Sequence, residues 1–173
     1  CRLPPGLPYL DAAIAADAIC TPLHVCRAEA QVGPGEDVLV VGAGGGVGVH
    51  MVQMARLCGG RVLAVDLGAE KLAMAKEVGA DSVIDAAATP EWVPEVLTRT
   101  EGRGVDAAID LVATSVTLPM CLAALGRADD HRPGYLRAGG EDLARTAVAR
   151  RRPLPGLPRR RAHHRVPPRD RRR

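Results

Sequence analysis

The residue types best suited to chemistry fall in one segment, Val38-Leu39-Val40-Val41-Gly42-Ala43-Gly44-Gly45-Gly46-Val47-Gly48. An apolar run that closes on glycines lets a strand turn sharply into a helix. It also lets backbone N–H groups approach a diphosphate with no Cβ in the way. A helix starting near Gly46 would offer unpaired N–H donors and its positive dipole end to the phosphates. The spacing is not a strict G-x-G-x-x-G, because Val47 stands where the third glycine would fall; it reads as G-x-x-G-G-x-G on Gly42, Gly45, Gly46 and Gly48. Asp66 follows 18 residues after Gly48 and closes the run Arg61-Val62-Leu63-Ala64-Val65-Asp66. A carboxylate so placed can accept hydrogen bonds from both hydroxyls of an adenosine ribose and would repel a 2′-phosphate, which favours NAD over NADP. Lys71 can reach the same ribose from the next helix.

The elements that must position these residues alternate regularly over residues 37–126. Asp37–Val41 is nearly all apolar, as a strand buried on both faces of a parallel sheet requires. The spacing predicts a helix over 47–58, where His50, Gln53 and Arg56 form a polar stripe. Strands follow at 61–66, 81–85 and 105–112, with helices at 70–78, 91–100 and 116–125; Gly79 caps the first of these, and Pro94 is tolerable only in the first turn of the second. Four strand–helix units in succession predict an α/β Rossmann-like fold, a doubly wound parallel sheet with right-handed crossovers. Ahead of it, a Pro-rich lead is followed by an Ala-rich helix at 11–18, a break at Pro22, and a second helical turn at 23–30.

Composition divides the chain again after Gly126. Residues 1–126 carry 8 basic and 15 acidic side chains, whereas residues 127–173 carry 15 arginines and 5 acids, so the net charge of +3 describes neither part. No apolar strand is evident past Arg127, and the parallel sheet reads as incomplete. The Arg/Pro-rich tail is expected to be disordered, since it has too little apolar surface to offset the entropy of ordering it. Two readings of the tail stay open: a phosphate-seeking arm binding nucleic acid nonspecifically through charge, or the product of a shifted reading frame in GC-rich coding DNA. The expected division is therefore 1–31, a remnant of a preceding domain with linking helices; 32–127, a partial dinucleotide-binding domain; and 128–173, the tail.

Other classes drop out. No stretch approaches the ~20 apolar residues that span a bilayer. The chain opens on Cys1 without a secretory pattern, which reads as an internal fragment. Cys1, Cys20, Cys26, Cys58 and Cys121 are odd in number and include no C-x-x-C pair, as expected of reduced cysteines in a cytoplasmic protein. With Trp92, Tyr9 and Tyr135 the only aromatic residues, the core must be built from Val, Leu, Ile, Ala and Met.

Taken together and in order, GEDVLVVGAGGGVG, RVLAVD, EKLAMAKEVGADSVID and GRGVDAAIDLV resemble the medium-chain dehydrogenase/reductase superfamily, in its zinc-type alcohol dehydrogenase branch. The resemblance covers residues 1–126. It implies that Gly42, Gly45, Gly46, Val47 and Gly48 hold the pyrophosphate of NAD, that Asp66 and Lys71 hold the adenosine ribose, and that Val112 lies beside the nicotinamide end. It also implies that Thr21, in DAICTPLH, neighbours the cofactor, and that Asp17, four residues earlier, stands where the branch carries a zinc ligand. Carboxylate oxygen is an acceptable zinc donor. Cys20 falls out of that register and is expected in the core; His24 is expected to pack or cap near Pro22. The remaining zinc ligands would come from a domain absent from these residues, so the chain alone is expected to bind no catalytic zinc and to turn over no alcohol. The intact parent would use zinc and NAD to interconvert a small alcohol and its ketone or aldehyde, as a homo-oligomer. A zinc-free reductase of the quinone reductase type is the alternative within the superfamily, and a basic-tailed nucleic-acid-binding module the alternative outside it.

Overall fold

A computed structural model describes residues 3–126 together with two later strands, Tyr135–Ala138 and Ala147–Arg150. Residues 127–134, 139–146 and 151–173, with most of the Arg/Pro-rich tail and the expectations attached to it, lie outside the described residues. The strands are β1 (Asp37–Val41), β2 (Arg61–Asp66), β3 (Ser82–Asp85), β4 (Ala107–Asp110), β5 (Tyr135–Ala138) and β6 (Ala147–Arg150). They form one sheet in the order β3-β2-β1-β4-β6-β5. The first four are parallel, as expected: Asp37 pairs with Arg61, Val38 with Ala107 and Leu63 with Ser82.

The two strands past Gly126 correct the sequence reading. β6 runs antiparallel to β4, setting Ala147 opposite Asp110 and Arg150 opposite Ala107, and β5 pairs with β6. Four residues, with only Val148 strongly apolar, are too few for a strand to be recognised by pattern. They suffice to pair the edge that β4 would otherwise leave open. Val148 and Ala149 are buried, one on each face of the sheet.

Helices cover both faces. α3 (Gly48–Leu57) and α4 (Ala69–Glu77) pack on one face with Met51, Val52, Ala55 and Ala75 against Val38, Val40, Val62 and Ala64. α5 (Val93–Arg99) and α6 (Thr117–Ala124) pack on the other, with Trp92, Val96, Cys121 and Ala124 against Leu39, Val41, Leu63 and Ala108. The chain thus winds outward through β1, β2 and β3 on one side and returns to β4 on the other. The crevice between the carboxyl ends of β1 and β4 is the point where the winding reverses.

Residues 9–29 differ from expectation. Rather than two helices broken at Pro22, they form a nearly continuous run of α1 (Tyr9–Ala13), a wide π turn (Ala15–Ile19), α2 (Cys20–His24) and a second π turn (Val25–Glu29). The wide turns place Ile19 N–H on Ile14 C=O (3.3 Å) and Ala30 N–H on Val25 C=O (2.7 Å). Pro22 then falls in the first turn of α2, where the missing N–H costs nothing. The run packs against α3, with Val25 and Cys26 fully buried.

Asp85 ties β3 to the helix entering the site. Its Oδ1 accepts the N–H groups of Ala87 (2.9 Å) and Gly68 (3.2 Å), the latter at the start of α4. These donors, Ala87 first, hold its carboxyl below the usual carboxylate range. Such a group stabilises the fold above the ordinary Asp value of about 4 and loses that contribution as pH falls through its depressed native value. Asp85→Asn is therefore expected to flatten the dependence of Tm on pH on the acid side of neutrality, measured by thermal melts from neutral pH downward. Parallel pH profiles for the two proteins would refute this.

Candidate functional site

The glycine loop, Asp66 and Lys71 converge at the carboxyl ends of β1 and β2. Gly42 takes φ +79°, a left-handed conformation that turns β1 out of the sheet; its N–H and that of Ala43 donate to Val65 C=O (2.9 and 3.3 Å). The first i→i−4 bond of α3 runs from Val49 N–H to Gly45 C=O (3.0 Å). The N–H groups of Gly46, Val47 and Gly48 precede it and belong to the turn that a helix leaves without internal acceptors. A Cβ on Gly46 would meet nothing within 4 Å, and one on Gly45 only Gly42 O at 3.4 Å, so the top of the loop is open. Gly48 is the opposite case, with Gly42 O only 2.1 Å from the position of a Cβ.

Asp66 is buried to 8% exposure and its carboxylate turns toward this loop. Oδ2 accepts Gly44 N–H (2.7 Å), Oδ1 accepts Leu67 N–H (2.7 Å), and Lys71 Nζ lies 3.6 Å from Oδ1. Each oxygen keeps a lone pair for a hydroxyl donor. A glycine loop open above a helix start, beside a fixed carboxylate, suits a diphosphate joined to a ribose.

Gly44 is a site residue that the motif reading passed over. A Cβ there would stand 2.4 Å from Lys71 Cβ and 2.6 Å from Lys71 O, so only glycine lets the loop close on α4. Its N–H also supplies the donor that the buried Asp66 carboxylate needs.

Val112 meets the same loop from the β4 side; its Cγ2 is 3.0 Å from the position of a Cβ on Gly42. Asp110, also passed over, lies beneath. It closes β4 much as Asp66 closes β2; the apolar Leu111 and Val112 carry the predicted strand on to residue 112, whereas the observed strand stops at Asp110.

Asp17 and Thr21 are paired with each other, the Thr21 hydroxyl donating to Asp17 Oδ1 (3.0 Å) one helical turn away. Their helical segment packs on α3. Among the described residues no group of three or more His, Cys, Asp or Glu side chains is gathered as a metal would need. One exposed carboxylate already accepting a hydroxyl does not make a zinc site. Cys20 is exposed and not in the core as expected, because the wide turn before it rotates the helix; Cys26 and Cys121 are buried. Burial pushes the Cys26 thiol up to about 12, with Cys58 adding to it, and raises Cys121 further, so neither is a nucleophile. His24 is exposed and faces Glu29 (3.3 Å) instead of packing near Pro22, and His50 bonds Gln53 (2.9 Å).

Residues 46–129 match the family model described as zinc-binding dehydrogenase. Over these residues the chain is similar to the zinc-binding dehydrogenases, and its relatives support an alcohol dehydrogenase-like fragment. An NAD-dependent alcohol dehydrogenase of Sulfurisphaera tokodaii is 38% identical over 124 residues, covering 68% of this chain and 35% of that protein. Alcohol dehydrogenase 1 of Emericella nidulans is 41% identical over 117 residues, 66% of this chain and 32% of that protein. The solved alcohol dehydrogenase of Aeropyrum pernix superposes with a TM-score of 0.65 at 36% identity, covering 73% of this chain and 38% of that one. The chain thus spans about a third of the length of the curated relatives it matches. The medium-chain dehydrogenase/reductase resemblance and the Rossmann-like fold read from the sequence both hold. Among the described residues no helix is long and apolar enough to cross a membrane.

Proposed function

We propose that this chain is the NAD-binding part of an alcohol dehydrogenase-like oxidoreductase. The observation that carries the reading is the Asp66 carboxylate, buried at the end of β2 and fixed by Gly44 N–H at 2.7 Å beside an open glycine loop. Gly42, Gly45, Gly46, Val47 and Gly48 would cradle the diphosphate. Asp66 and Lys71 would take the adenosine ribose, Val112 would face the nicotinamide half, and Thr21 would neighbour it from α2. NAD supplies the hydride acceptor. The names of the relatives from Sulfurisphaera and Emericella support an alcohol and its ketone or aldehyde as the substrates of the intact parent.

Zinc belongs to the intact parent in this reading. Asp17 is the one ligand this chain would contribute. The chain alone turns over no alcohol; stoichiometric zinc retained after dialysis, with alcohol-dependent NAD reduction, would overturn that statement. The parent is proposed as a cytoplasmic homo-oligomer without a membrane partner, with nucleic acid bound at most nonspecifically through tail charge.

Titration of the purified chain with NADH and NADPH, followed by nicotinamide fluorescence, tests the cofactor assignment. NADH is expected to bind at least about tenfold more tightly, a difference of about 1.4 kcal/mol, because Asp66 repels a 2′-phosphate. Equal or tighter binding of NADPH would remove the role given to Asp66.

A further inference from the structure

The order of the parallel strands sets where each part of a dinucleotide must go. Asp66 marks the end of β2 and the glycine loop the end of β1, and β4 lies on the far side of β1. A linear dinucleotide with its first ribose over β2 and its diphosphate over β1 therefore carries its second nucleoside half over the end of β4, in the crevice where the winding reverses.

Asp110 organises that end. It is 1% exposed, and its Oδ1 accepts the N–H groups of both Val112 and Ala113, each at 2.9 Å. Ala113 takes φ +51°, a left-handed conformation that an L-residue with a Cβ resists. Two hydrogen bonds to one carboxylate oxygen oppose that strain. The turn they hold leaves Val112 half exposed and in contact range of the glycine loop at Gly42, an apolar wall on the β4 side of the crevice. The second oxygen, Oδ2, is buried with no hydrogen-bond partner, on the face where Cys121 of α6 packs. A buried carboxylate with one oxygen unpaired is a costly way to hold a turn, and such costs are kept where a site needs them.

We propose that Asp110 is a positioning residue for the second nucleoside half of the dinucleotide: it fixes the left-handed turn at Ala113 and thereby sets Val112 as the wall against which that half packs. The proposal rests on the dinucleotide reading above, and it gives Asp110 no contact with the ligand.

Calorimetric titration of the full chain with NADH and with ADP-ribose isolates the nicotinamide ring of the second half, since ADP-ribose keeps the adenosine, both phosphates and the second ribose but lacks that ring. Asp110→Ala is expected to weaken NADH binding about tenfold while leaving ADP-ribose within about twofold. Asp110→Asn, which retains an acceptor oxygen for the two N–H groups, is expected to restore the wild-type ratio of the two affinities. Ala113→Val leaves Asp110 intact but cannot adopt the left-handed turn, and is expected to reproduce the selective loss even if Asp110→Ala does not fold. Parallel loss of both ligands in these variants, or an unchanged ratio, would overturn the positioning role. A wild-type chain that binds neither ligand would instead defeat the dinucleotide reading on which it stands.

Discussion

Gly48→Ala is expected to abolish tight dinucleotide binding and to destabilise the domain. A Cβ on Gly48 would stand 2.1 Å from Gly42 O, 2.7 Å from the Ala43 carbonyl carbon and 2.8 Å from its oxygen. All three are backbone atoms of the turn leaving β1, and no rotamer change can relieve the overlap. Either α3 withdraws from the loop or the loop opens, and Met51, Val52 and Ala55 lose their packing on β1 and β2 in the first case. Overpacking of this kind costs about 1–3 kcal/mol, or a little more against rigid backbone. Separating the helix start from the loop also disperses the N–H groups of Gly46, Val47 and Gly48, so NADH affinity should fall on the order of a hundredfold, about 2.7 kcal/mol. Gly46→Ala is the informative control. A Cβ there meets nothing within 4 Å, so the fold should melt within about 1 °C of wild type. Its methyl group would nevertheless project into the space assigned to the diphosphate and weaken NADH binding. Thermal melts and NADH titration of both variants check this; wild-type affinity in Gly48→Ala would show that the close approach of helix and loop is unnecessary.

The contrast between these glycines shows what a sequence reveals of such a site and what it hides. The alternation of short apolar runs with amphipathic stretches made β1, β2, α3 and α4 legible almost to the residue, because strands buried on both faces leave few alternatives. Asp66 was legible for the same reason: a single acid closing an apolar strand, at a fixed distance from a glycine run, stands out. Gly44 was not, because which glycine touches α4 depends on how the loop closes, and that is decided by Lys71 from 27 residues away. Pro22 misled because a proline breaks an α-helix but not one that has just widened by a residue. β6 was hidden by its brevity, since its stability comes from the open edge of β4 more than from its own side chains. Asp110 was hidden as a strand-end acid because the apolar Leu111 and Val112 extend the pattern past it; that its Oδ1 holds two N–H groups across a left-handed alanine is a tertiary fact.

At the opposite end of the sheet, Asp37→Ala is expected to lower stability by about 2–3 kcal/mol without altering cofactor affinity. Asp37 begins β1 with its side chain 3% exposed, and its two oxygens pair with Arg61, which begins β2, and Arg103, which precedes β4. Arg103 also grips both oxygens of Asp106 (2.8 Å each), and Asp106 accepts the Asp37 N–H (2.8 Å). The network therefore clamps the amino ends of three adjacent parallel strands. Its hydrogen bond to Asp37 pushes the Arg61 guanidinium above its ordinary range, against the effect of burial. Removing the shared carboxylate leaves Arg61 without its carboxylate partner and Arg103 with Asp106 alone. Wholly buried pairs lose ~3–5 kcal/mol on such truncation; both guanidinium groups here are about half exposed, which reduces the figure. For a domain of this size the loss corresponds to a Tm lower by about 5–10 °C. High salt should narrow the gap only slightly, because a buried carboxylate is poorly screened. NADH affinity should stay within about twofold, as the clamp lies at the amino ends of strands whose carboxyl ends carry the site. A Tm change under about 2 °C, or one erased by salt, would place these charges among ordinary surface pairs. A matching loss of NADH affinity would mean instead that strand register at one end of the sheet governs loop geometry at the other.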